Sequence, residues 1–176
     1  MKKSNNTKSL QGYAEAKFSS TKCYLDNSRF YPELDNGIRW LARARMGAYW
    51  MAPKAAAARL VPMVYGYTCP SCNFNEVEDW KHVLLRCPLG RNARAQHIEP
   101  VLKEMNQSLP VGLSDEDRSV IILGGDVRGV TLGDQWSGGA KPGQNESIPH
   151  FVQVAQYLDK VVHLRMSRLW QHYLSQ

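Results

Sequence analysis

Nowhere does the chain contain a run of about eighteen apolar residues, the length a helix needs to cross a bilayer. Its first residues, MKKSNNTKSLQG, carry lysines with no apolar segment behind them, so a secretory leader is not expected. An intracellular setting, nuclear or cytoplasmic, is the resulting expectation, and with it reduced cysteines in place of disulfides. Strand signals are scarce as well, which argues against a sheet protein. The low hydrophobicity and high charge that mark disordered chains are also missing. Hydrophobic residues make up 43% and charged residues 22% of 176 positions, ordinary globular usage in a chain long enough to bury a core.

Surplus positive charge is absent from most of the chain. Residues 61–106 hold 5 basic against 5 acidic side chains, and residues 107–176 hold 6 against 7. Residues 1–60 hold 11 against 4, so the whole formal excess of +6 lies in the first third. In that third, Arg39, Arg43, Arg45, Lys54 and Arg59 are placed to face a polyanion such as RNA or DNA. A merely solvated helix face is the plainer reading of the same charges.

The pattern that remains is mostly helical: a small helical domain organised around a CCHC zinc knuckle, with a long C-terminal helix. Residues 1–34 form a polar lead without clear periodicity, expected to be partly disordered. Basic helices and the knuckle occupy 35–106. Asp35 and Asn36 can cap a helix from Gly37 to Trp50, in which Ile38, Leu41, Ala44 and Ala48 recur at helical spacing. Pro53 suits the first turn of a second helix that runs to Val61 and ends at Pro62. A pattern from Arg91 to Met105 should be kinked or broken by Pro100. Within 107–123, Ser114 followed by Asp115, Glu116 and Asp117 starts a short helix through Leu123. Residues 124–148 read as a glycine-rich loop, and 149–176 as an amphipathic helix with Phe151, Ala155, Leu158, Val162, Leu169 and Tyr173 on its apolar stripe.

Of four cysteines, Cys69 and Cys72 form a C-x2-C knuckle, a turn that aims two thiolates at one point. His82 and Cys87 complete the spacing C-x2-C-x9-H-x4-C, with Glu76 to Arg86 read as a short helix carrying the histidine. Three thiolates and one imidazole leave no position for water, so the expected zinc site is structural and not catalytic. Binding energy on the order of 10–16 kcal/mol for such sites would be folding energy. A thioredoxin-like redox pair would need a strand-to-helix junction, and none is evident. His97 is a rival ligand at a less usual spacing, and Cys23 stands alone upstream.

These residues resemble the C-terminal zinc-binding region of reverse transcriptases from non-LTR retrotransposons. The shared series is Arg45-Met46-Gly47, then Cys69-Pro70 and Cys72, then Glu78 four residues before His82, then Leu84, Cys87 and Pro88, then Arg91 or Arg94. More loosely, Ile121 to Gly125 and the segment around Arg165 and Arg168 are similar to the part that follows the finger, so the likeness spans roughly residues 37 to 174. The resemblance implies an accessory nucleic-acid-binding role beside a polymerase. No paired-aspartate polymerase motif appears in the chain.

Nuclease chemistry would need clustered carboxylates around a divalent metal. Asp79-x-Lys81 has half of that spacing but lies inside the knuckle, while Asp126, Asp134 and Glu146 fall on the glycine-rich loop. Two function classes remain. One is a non-catalytic zinc-stabilised module that binds RNA or DNA, with Trp40, Tyr49, Trp50 and Trp80 as candidates for stacking on bases, although each is more often a core residue. The other is a domesticated protein-interaction subunit of a larger ribonucleoprotein or other complex, or an effector-like protein, docking through its final helix. Neither class calls for a membrane or a small-molecule substrate.

Overall fold

The structure, a computed structural model, describes residues 29–46, 51–72, 74–127, 129, 130 and 148–174. Cys23, Tyr49, Trp50, Asp134 and Glu146 lie outside them, as does most of the polar lead. The described part is mostly helical, and its only β pairing is an isolated bridge between Val127 and Val130. None of its helices is long and apolar enough to cross a membrane.

Among the described residues six α-helices carry the architecture: α1 (Asp35–Arg45), α2 (Ala52–Ala57), α3 (Arg91–His97), α4 (Glu99–Ser108), α5 (Asp115–Ile122) and α6 (His150–Leu174). At 1.5 Å per residue the 25 residues of α6 run about 37 Å, long enough for the others to pack along it. Its apolar stripe explains why. Phe151, Val154, Ala155, Tyr157, Leu158, Val161 and Val162 are almost fully buried, and each large side chain removed from water contributes about 1.5–3 kcal/mol. α1 makes the most extensive contact, through Gly37, Ile38, Leu41 and Ala44. A second cluster forms where Ala52, Ala55 and Ala56 of α2 meet Leu169 near the far end of α6.

Helix boundaries differ from the sequence expectation for identifiable reasons. Asp35 and Asn36 do not cap α1; they are its first residues, and Asp35 instead pairs with Arg39 one turn on, at 2.7 Å. α2 stops well before Pro62. The Leu60 N–H reaches back to the Ala55 carbonyl and the Arg59 N–H to Ala56, with Arg59 in the left-handed region at φ 58°. Such a reversal closes a helix without help from proline. The 91–105 pattern breaks at Ile98, and Pro100 sits in the first turn of α4, where its missing N–H costs nothing. Ser114 caps α5 as expected: its Oγ accepts the Asp117 N–H while Asp117 accepts the Ser114 N–H.

Close approach between α1 and α6 requires glycine at position 37. A Cβ built there would lie 2.2 Å from the Ala155 carbonyl oxygen and 2.7 Å from its carbon, both backbone atoms of α6. Gly37→Ala should therefore destabilise the fold by about 1–3 kcal/mol or more, because the two helix axes must separate. Gly66→Ala, whose new methyl would sit 3.9 Å from the Ala56 Cβ, serves as a near-neutral control. Urea unfolding of both variants measures the difference, and equal midpoints would refute the packing argument.

Candidate metal centre

The C-x2-C turn is shaped by its own backbone. Ser71 donates its N–H to the Cys69 sulfur at 3.4 Å, which orients a thiolate and offsets part of its charge. Asn75, left-handed at φ 50°, lets the chain double back, so that the Cys69 N–H meets the Glu76 carbonyl at 2.8 Å. Residues 76–79 are consequently not helical, and the helix expected from Glu76 begins only at 80. Asp79 starts it by accepting the His82 N–H on its Oδ1 at 2.7 Å.

From His82 to Arg86 the helix is of the wider π type, closed by a Cys87 N–H to His82 carbonyl bond of 2.7 Å. That widening matters for the site. Residues five apart on an α-helix point about 140° away from each other. A π turn reduces that angle and brings His82 and Cys87 to one side. The result is that the donor atoms of Cys69, Cys72, His82 and Cys87 all lie within 4.8 Å of one another. His82 Nε2 is 3.3 Å from the Cys72 sulfur, and its Nδ1 is 3.0 Å from Glu76 Oε2. A carboxylate behind a ligating imidazole fixes the ring and its tautomer, so Glu76 supports the site from outside the donor set. The four donors are thus a group that can hold a metal ion.

Electrostatics agree with the geometry. Hydrogen bonding to Cys87 and burial push the Cys69 thiol far up, while the same bond lowers Cys87. Burial pulls His82 down, but its hydrogen bonds to Cys69 and Glu76 and the nearby sulfur charge outweigh burial and raise it to about 9. Glu76 is lowered, chiefly by its bond to His82.

Arginines and one carboxylate pin the knuckle to the helices. Arg94 donates to the Cys87 carbonyl and Arg168 to the Ser71 carbonyl, each at 3.1 Å. Glu78, 1% exposed, accepts the Ala52 N–H at 2.8 Å and pairs with the buried Arg165 of α6. Its other oxygen lies 3.7 Å from the Cys69 sulfur. Neither Glu76 nor Arg165 was identified from sequence as part of this site. Glu76 carried a usable signal, an acid six residues ahead of a ligating histidine; Arg165, 87 positions from Glu78, lay in a segment the likeness touched, but nothing in the sequence pointed to its pairing with Glu78.

The proposed polyanion contacts divide. Arg39, Arg43, Lys54 and Arg59 are exposed, and Arg43 lies 4.7 Å above the Trp40 ring. Arg45 must be removed from that set. It is 5% exposed and donates to the Gly124 carbonyl, because its position on α1 faces the core with Leu41 and Ala44. Trp40 and Trp80 are partly buried against the core, in keeping with the structural reading of those rings. His97 stands 3.0 Å from Lys160, outside the donor cluster. The final helix is packed into the core mainly along residues 151–162, while Leu164, Trp170 and Leu174 in its distal part are exposed. No protein-family model matches the chain, and comparison with curated proteins and with solved structures returned no match.

Two measurements test this account. Because folded, metal-free Cys69 and His82 both hold protons below pH about 9, metal must displace at least two, and loading weakens as pH falls. A cobalt(II) titration followed by thiolate charge-transfer absorption should saturate at one equivalent and lose about a hundredfold in apparent affinity per pH unit between pH 8 and 6. A pH-independent affinity would contradict the donor set. Separately, Glu78→Ala strands the Arg165 charge in the interior and should cost about 3–5 kcal/mol in thermal or urea unfolding, with partial recovery in Glu78→Ala combined with Arg165→Met.

Proposed function

We propose that the metal is zinc and that the chain is a non-catalytic accessory module binding RNA or DNA. The donor chemistry supports zinc: three thiolates and one imidazole suit a tetrahedral, redox-inactive ion. A set of four protein ligands leaves no coordination position for water or substrate, which supports a structural role over a hydrolytic one. Asp79, the half-motif acid, is engaged instead with the His82 N–H and with Lys81.

One observation carries the nucleic-acid reading. The charge surplus of the first third includes the exposed cations Arg39 and Arg43 on α1, Lys54 on α2 and Arg59 in the reversal just after it, in a part of the chain that the knuckle and α6 hold in place. Cations on rigid elements meet phosphates at a smaller entropy cost than cations on loops, and counterion release then drives association. The metal organises this surface without touching the ligand. The likeness to the zinc-binding region of non-LTR reverse transcriptases supports the same reading, including action beside a polymerase in a larger ribonucleoprotein and an intracellular site of action.

Zinc-loaded protein should bind RNA or DNA with log affinity falling linearly in log salt, by about 0.7–0.9 per phosphate neutralised. Replacing Arg39 and Arg43 with glutamine should reduce that slope by about two. A flat salt dependence, or no binding at low salt, would overturn the proposal.

A further inference from the structure

Exposed apolar side chains concentrate around the metal knuckle. Tyr67 is 72% exposed and Phe74 54%, and Met63, Val64 and Val77 beside them in sequence are each between 45% and 60%. Tyr67 precedes Cys69 by two residues and Phe74 follows Cys72 by two, so in sequence the two rings flank the clasp. This segment is not slack chain. The Thr68 N–H and hydroxyl both bond to the Val64 carbonyl, and the Cys69 N–H to the Glu76 carbonyl joins its two sides. Nor is a core lacking nearby, since Tyr65 of the same segment packs onto the cluster formed by α2 and Leu169.

Exposed cations accompany these rings along the chain. Between residues 51 and 77 the ionised side chains are Lys54, Arg59 and Glu76. Both cations are exposed, whereas the carboxylate is held by His82 on one oxygen and Arg86 on the other. Arg168, bonded to the Ser71 carbonyl, brings a third cation from α6 to the knuckle turn. Exposed rings beside a metal clasp, accompanied by exposed cations, suit a ligand that is flat and apolar in some parts and anionic in others.

We infer that this face is a stacking platform for the unpaired bases of a single-stranded nucleic acid, with Tyr67 and Phe74 as the rings and Lys54, Arg59 and Arg168 as the phosphate contacts. The inference rests on the nucleic-acid reading above and narrows it to single strands. In a duplex each base is covered on both faces, so exposed rings gain nothing from it; in a single strand every base has a free π-face. The metal clasp holds the rings ready, and little ordering is left to be done on binding.

The experiment uses the full zinc-loaded chain and three fluorescein-labelled probes: a dT oligomer, a U oligomer and a DNA duplex of equal length. Anisotropy titrations compare the natural chain with Tyr67→Ala, Phe74→Ala and Tyr67→Phe. Each alanine variant should weaken single-strand binding about tenfold without changing the salt slope or duplex binding, and Tyr67→Phe should restore it. Both positions are exposed, and circular dichroism with metal content verifies that each variant is folded. If the alanine variants bind single strands as the natural chain does, the platform is wrong while the nucleic-acid reading stands. If the natural chain binds none of the probes, both fail. Self-association that disappears in the alanine variants, seen by sedimentation, would assign the face to a second copy and overturn the inference.

Discussion

Burying a carboxylate and a guanidinium together is costly unless each offsets the other's charge and further hydrogen bonds help, and Glu78, paired with the buried Arg165, also accepts the Ala52 N–H. That N–H is the first of α2, and the carboxylate reaches the edge of the sulfur cluster. Three elements distant in sequence are therefore located by one side chain: the knuckle, the alanine-rich α2 and the distal half of α6. Were Glu78 displaced, α2 would lose the bond that orients it, and the knuckle would lose its inner support. Hydrophobic burial holds α1 and α6 together elsewhere, but it is non-directional. The ion pair supplies direction where the apolar contacts are small.

The metal centre gains from the same arrangement. Four donors can converge because three independent constraints act on the chain between them: a sulfur-directed N–H in the turn, a left-handed Asn75 that reverses the chain, and a π turn that rotates Cys87 toward His82. Arg94 and Arg168 then hold the two ends of the site by their carbonyls. A metal bound there would act as a fourth constraint on a segment already folded into place, and its binding energy would add to that of the surrounding helices.

Much of this was legible in the sequence. Spacing alone identified Cys69, Cys72, His82 and Cys87, because metal geometry restricts which separations can converge. The amphipathic stripe of α6 and the Ser114 cap were also readable, since both are local. What escaped was tertiary or depended on subtle backbone choices. Arg45 looked like its neighbours Arg39 and Arg43 on a basic helix, yet two residues beyond Arg43 the helix face turns inward. Glu76 and Glu78 read as part of a helix from Glu76 to Arg86, but residues 76–79 form none, and the two carboxylates are held by distant partners, one by His82 and one by Arg165. The end of α2 was placed at Pro62 because proline is a conspicuous stop, whereas a left-handed arginine carries no mark in the sequence.

Gly37 and Ala155 meet where the first helix crosses the last, with backbone against backbone. Contact of that kind depends on the absence of side-chain atoms, so it tolerates none of the ordinary drift by which one apolar residue replaces another. A protein sharing this architecture could exchange nearly every other core position and still have to keep a glycine at that crossing. Distant kin of the chain, unrecognisable by overall identity, would be traceable by two marks read together: the four metal donors, and a glycine in the first turn of a helix like α1, upstream of them.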